Sequence, residues 1–131
     1  PIGGLCARSL RFDGPTGRTV SLEEVVLRHA LGQSVTNYCR EVQAAGVMMV
    51  PVPREGLYKG VIGLEDACAT DHIEEIIVTT KPDQRLRPLP EGSSYLGFIV
   101  ARANGPSAVV AALRTAHQRL RFEIEPSILM M

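Results

Sequence analysis

The sequence predicts an α+β domain, a mainly antiparallel sheet with helices on one face. Three observations predict it. Apolar runs of strand length recur at residues 46–52, 57–62, 73–80 and 93–103, rich in Val, Ile, Tyr and Phe. Few helical patterns lie between them. A long amphipathic stripe then follows at residues 106–120, the pattern of a helix laid on a sheet. The chain has 131 residues, enough for one core and too few for two, so residues 1–131 are read as a single domain.

The elements follow in order. Pro1-Ile2-Gly3-Gly4 opens the chain and reads as a loop, because a glycine pair lets the backbone bend or approach a ligand. Residues 5–12 are short, mildly apolar and ambiguous between strand and helix. Asp13-Gly14-Pro15-Thr16-Gly17 is a turn cluster. Ser21 starts a helix as its cap, with Glu24 placed to reach back in a Ser-x-x-Glu capping box. Leu22, Val25, Val26 and His29 or Ala30 fall at helical spacing, and Gly32 is a natural stop.

Residues 33–45 are polar and poorly periodic. The run at 46–52 suits a buried strand, and Pro51 and Pro53 place it at an edge. The strand at 57–62 is broken by Gly60. Residues 64–69 form a short helix, and 73–80 is the clearest strand. Residues 81–92 carry Pro82, Pro88 and Pro90 and read as a loop. The strand at 93–103 leads to Asn104-Gly105-Pro106, which opens the last helix with proline near its first position. Val109, Val110, Leu113, Ala116, His117 and Leu120 make its stripe, and residues 122–124 add a final short strand.

Composition excludes some functions. Lys plus Arg and Asp plus Glu are 14 each, for zero net charge. That gives no electrostatic footprint for nucleic acid or an anionic membrane. The hydrophobic share of 45% and mean hydropathy of +0.08 suggest a surface meant for another domain or subunit, a homodimer included. Residues 5–12 and 47–52 are the candidates for that contact. Cys6, Cys39 and Cys68 form no CxxC pair or disulfide framework, so they read as buried fillers or idle thiols in a reducing compartment. Without a signal peptide or a span of about 18 apolar residues, the expectation is a soluble, cytoplasmic protein.

Several segments together resemble a known family. Residues 1–12, PIGGLCARSLRF, are similar to the start of the C-terminal region of ATP-grasp ligases. Ser21-Leu22-Glu23-Glu24, residues 46–53 (GVMMVPVP), residues 90–99 (PEGSSYLGFI) and residues 120–124 (LRFEI) fit the same pattern in the same order. The resemblance is to L-amino acid ligases and other carboxylate–amine ligases, and in the later half also to the C-terminal domain of biotin carboxylase. It implies an enzyme that activates a carboxylate with ATP and magnesium as an acyl phosphate, which an amine or thiol then attacks. It further implies that the phosphate-handling parts lie in an upstream ATP-grasp core domain. This chain is then a C-terminal subdomain, inactive alone, with no cofactor of its own and with residues 1–20 facing the substrate.

Candidate site residues follow. Gly3 and Gly4 offer adjacent backbone N–H groups that suit a substrate carboxylate or acyl phosphate. Arg8 and Arg11 offer guanidinium forks that match oxyanions, against a structural reading as solvated or ion-paired side chains. No residue is assigned to catalysis or to a metal. His29, His72 and His117 are too scattered for a metal site. The neighbouring pairs Glu23–Glu24, Glu65–Asp66 and Glu74–Glu75 read as helix-start or rim charges. Lys81, Arg85 and Arg87 read as a solvated loop, and residues 14–19 lack the ending of a phosphate loop. The competing reading of the whole chain is a non-catalytic α+β interaction or oligomerisation module.

Overall fold

The computed structural model describes residues 2–127, the side chains of Ile2 and Cys6 excepted. Pro1, which heads the opening motif, lies outside them. The fold is α+β, and every strand pair is antiparallel. The strands divide into three small sheets rather than one.

The first region runs through α1 (Ile2–Ser9), β1 (Arg11–Asp13), β2 (Thr19–Ser21), α2 (Leu22–Ala30) and β3 (Cys39–Arg40), with sheet order β2-β1-β3. The ambiguous segment 5–12 thus divides into a helix end and a strand. The turn cluster joins β1 to β2, with the Gly14 N–H donating to the Arg18 carbonyl at 3.0 Å. Ser21 caps α2 as expected, its Oγ accepting the Glu24 N–H at 3.2 Å. Only half of the capping box forms. The Glu24 carboxylate accepts from Arg28 at 2.8 Å and Arg18 at 3.0 Å, because charged donors outbid a backbone amide. Gly32 stops the helix at φ +80°. Its N–H donates to His29 and that of Gln33 to Arg28, the paired bonds of a Schellman ending.

The second region is a body of β4 (Ala44–Val50), β5 (Gly56–Ile62), α3 (Leu64–Cys68), β6 (Ile73–Val78), β7 (Arg85–Leu86), β8 (Gly97–Ala103), α4 (Pro106–Arg119) and β9 (Arg121–Glu125). Its sheets have the orders β4-β8-β6 and β7-β5-β9. The proline-flanked β4 lies at an edge, as Pro51 and Pro53 required. Gly60 marks a register shift in β5 rather than its end. The 81–92 loop contains the two-residue β7.

The core sits between α4 and the β4-β8-β6 sheet. Strand alternation sends Ile99, Ala101 and Ala103 of β8 to that side, all buried. Val109, Ala112, Leu113 and Ala116 meet them from α4 at i, i+3, i+4 and i+7. This stripe is narrower than expected, since Val110 is exposed. Gly46 lets the helix close on β4. A Cβ there would lie 2.8 Å from Val109 Cγ1 and 3.4 Å from a Leu113 methyl. Leu86 and Leu96 complete the core. Each such side chain contributes about 1.5–3 kcal/mol on burial.

Candidate functional site

Helix α1 carries most of the residues picked out from sequence. At eight residues it is about 12 Å long. Gly3 and Gly4 stand in its first turn, so the expected loop is a helix. Leu5, Ala7 and Arg8 favour helix, and the far end of α1 is pinned to the sheet. Gly4 needs no glycine geometry, because a Cβ there would meet nothing within 4 Å. Gly4 and Arg8, both exposed, are four residues apart and share one face of the helix.

Arg8 and Arg11 come together. With Leu5, Ser9, Glu74 and Glu75 they line a concavity of about 210 Å³ over β6 and β8. Gly4 is not among the described residues that line it. Among the described residues the Arg8 side chain has no hydrogen bond or ion pair, whereas Arg11 Nη2 lies 3.1 Å from Glu74 Oε1. Arg11 also borders a larger cleft of about 450 Å³ along the free edge of β4, where Ala45, Gly46, Val47, Val110 and Leu113 make an apolar wall.

Behind this concavity lies a buried charge cluster. Alternation along β8 turns Arg102 to the face opposite α4, and its side chain is only 6% exposed. Its Nε donates to Glu74 Oε1 at 2.8 Å, its Nη2 to the Ser9 carbonyl at 2.7 Å, and its Nη1 pairs with Glu41. The Glu41 N–H in turn donates to the Arg11 carbonyl at 3.0 Å. Burial, and then the charge of Arg11, push the Arg102 guanidinium down from its usual range. Two flanking carboxylates keep it charged. One side chain thus ties α1, the β3–β4 connection and β6 to β8.

Sequence reasoning missed Arg102 and Glu41 and read Glu74 as a rim residue. The available signal was a lone charge between Ala101 and Ala103 in an apolar strand, since a buried charge requires partners. The thiols of Cys39 and Cys68 are exposed, not buried fillers. Among the described residues no group of His, Cys, Asp or Glu side chains is placed to hold a metal ion. No helix among them is long and apolar enough to cross a membrane.

Comparison with known proteins gives this fold its class. Residues 48–125, more than half of the chain, match the family described as L-amino acid ligase C-terminal domain 2. The chain belongs to that family. Its fold is similar to part of the crystal structure of L-amino acid ligase from Bacillus licheniformis, with a TM-score of 0.68 at 23% identity. The similarity covers 81% of this chain and 27% of that one, so the chain spans about a quarter of the ligase it matches. A search of curated protein sequences finds no match. Glu74 and Arg102 lie inside the family match, and Gly3, Gly4, Arg8 and Arg11 lie ahead of it.

Proposed function

We propose that this chain is the C-terminal part of an ATP-dependent carboxylate–amine (or thiol) ligase that works through an acyl phosphate, and that it has no ligase activity alone. The family match over residues 48–125 carries the reading. ATP and magnesium belong to an upstream ATP-grasp core, which supplies phosphoryl transfer to the substrate carboxylate. This chain closes one side of the site with α1. Gly4 and Arg8 present one face toward the substrate. Arg8, without a partner among the described residues, offers its donor fork to an oxyanion. Arg11 stands beside it, held by Glu74, and Gly3 completes the substrate-facing turn.

The test compares the polypeptide that joins this chain to its ligase core with the isolated chain. Phosphate release from ATP is followed with pairs of L-amino acids. The joined protein releases phosphate only when both the acyl donor and the amine are present, and the isolated chain releases none. Turnover by the isolated chain would overturn the division of labour. A joined protein with no amino-acid-dependent release would favour the interaction-module reading.

A further inference from the structure

Glu74 sits between two unequal arginines. Its Oε1 lies 3.1 Å from Arg11 Nη2 and accepts from Arg102 Nε at 2.8 Å. The Arg102 side chain is 6% exposed and that of Arg11 is 45% exposed. Arg8 lines the same concavity with no partner of its own among the described residues. Resting on the reading that Arg8 and Arg11 face an anion, we propose that Glu74 is a displaceable counter-ion. A phosphate group takes Arg8 and Arg11 together, and Glu74 leaves Arg11 while staying on Arg102.

The two ends of this pairing have different costs. Arg102 is desolvated, so losing Glu74 would leave a buried charge short of a partner, and that contact persists. Arg11 lies at the wet end, where an ion pair is weak and exchangeable. A phosphate dianion carries more charge than one carboxylate and has enough oxygens for two guanidinium forks. Until it arrives, Glu74 keeps Arg11 pointed into the concavity, so little side-chain freedom is lost on binding. Glu75 lines the same space, and its like charge holds affinity down for ligands of low charge. The recognised chemistry is a phosphate group, whether free or at the end of an acyl phosphate.

The experiment is a titration of the 131-residue chain with inorganic phosphate, and in a second arm with acetyl phosphate. The Nε–Hε resonances of its arginines are followed by NMR. Those of Arg8 and Arg11 shift with phosphate while that of Arg102 holds. Acetyl phosphate binding more tightly would show that the acyl group is read too, and equal binding that the phosphate alone is read. Glu74→Gln removes a competing charge and tightens phosphate about 3- to 10-fold at low salt, whereas Arg8→Gln weakens it. A merely structural Glu74 would loosen the site when replaced. Unchanged or weaker binding by a natively melting Glu74→Gln chain overturns the proposal, as does an Arg102 resonance that moves with that of Arg11. If Glu74→Gln does not fold, the wild-type shift pattern decides alone. Absence of any phosphate binding also overturns the proposal, while the ligase reading still stands or falls on amino-acid-dependent phosphate release by the joined protein.

Discussion

Residues 44–127 bury one continuous apolar cluster, from Val50 and Leu86 through Leu96 and Ile99 to Leu113 and Ile124. In residues 2–43, Val20 is the one buried hydrophobic side chain among those described. Helix α2 buries no residue, and Val26, Leu27 and Leu31 face outward. The first region is held instead by polar devices. These are the Ser21 cap, the Gly32 ending, the Arg18–Glu24–Arg28 ion pairs and the Arg28 guanidinium 5.9 Å above the Tyr38 ring. Such contacts are directional but individually weak in water, whereas burial is collective. The difference teaches that the body is the folding unit and that the first region is shaped by its attachment. Gly3, Gly4, Arg8 and Arg11 all stand on the attached part, while Glu74 and the anchor Arg102 stand on the body.

The comparison is broken most directly by matched truncations. Ile99 is fully buried against α4, so Ile99→Ala is expected to cost about 4 kcal/mol. Leu27→Ala, at a side chain 63% exposed, should stay within about 0.5 kcal/mol. Urea denaturation of both variants measures this. A large loss from Leu27→Ala would mean that α2 is covered by another surface, a second copy of the chain included.

Next in size is the anchor. Arg102→Met strands Glu41 and Glu74 without their shared cation. About 3 kcal/mol is expected, at the low end for a buried pair because Glu74 is partly solvated. Hydrogen exchange should show the loss unevenly, with α1 and β1–β3 amides unprotected first while β8 and α4 hold. Equal loss in both regions would make Arg102 part of the body's own core and remove the two-region picture.

How far the sequence was legible follows the same division. In the body, apolar runs of strand length located β4, β5, β6, β8 and β9, and an i, i+3, i+4 stripe located α4, because a core draws on apolar segments of these lengths. Pro51 and Pro53 even marked β4 as an edge. In the first region only the local signals held, namely the Asp13–Gly17 turn, the Ser21 cap and the Gly32 stop. The glycine pair suggested a loop, but α1 is fixed by a contact 93 residues away, from Arg102 to the Ser9 carbonyl, which no local window contains. The 5–12 segment was ambiguous for the same reason. Arg8 and Arg11 were singled out for their chemistry, and the structure sets them on one concavity. Their neighbour Glu74 was read as a rim charge, since its partner lies on a strand distant in sequence.

A smaller effect of opposite sign is expected at Gly4. It lies in the first turn of α1 with open space around it and no positive φ. Gly4→Ala should therefore add up to about 1 kcal/mol of helix stability by restricting the unfolded chain. Thermal melting of the chain would show it. If the residue also faces substrate in the joined ligase, Gly4→Val lowers turnover there without lowering the melting temperature. Loss of stability from Gly4→Ala in the isolated chain would mean that the first turn is not helical in solution.

The smallest expected effect concerns acid. A side-chain hydrogen bond from Arg28 holds the Glu24 carboxyl below its ordinary range, burial working against it and the charges of Arg18 and Arg28 adding to the lowering. The same pairing pushes Arg28 up. For a carboxylate lowered in the folded state, the linked stabilisation is fully present above the unfolded value and is lost as pH falls through the folded one. The window therefore opens at the ordinary carboxylate range and extends downward. Protonating Glu24 breaks its pairs with Arg18 and Arg28, and since this region has little core to hold it, α2 amides should exchange faster there than at neutral pH. The body strands, with their buried cluster, should not follow in the same window. In Glu24→Gln the α2 amides are already faster at neutral pH and their acid step disappears. An unchanged acid step in that variant would assign the pH dependence to a group other than Glu24, and α2 would then be held by something other than its arginine pairs.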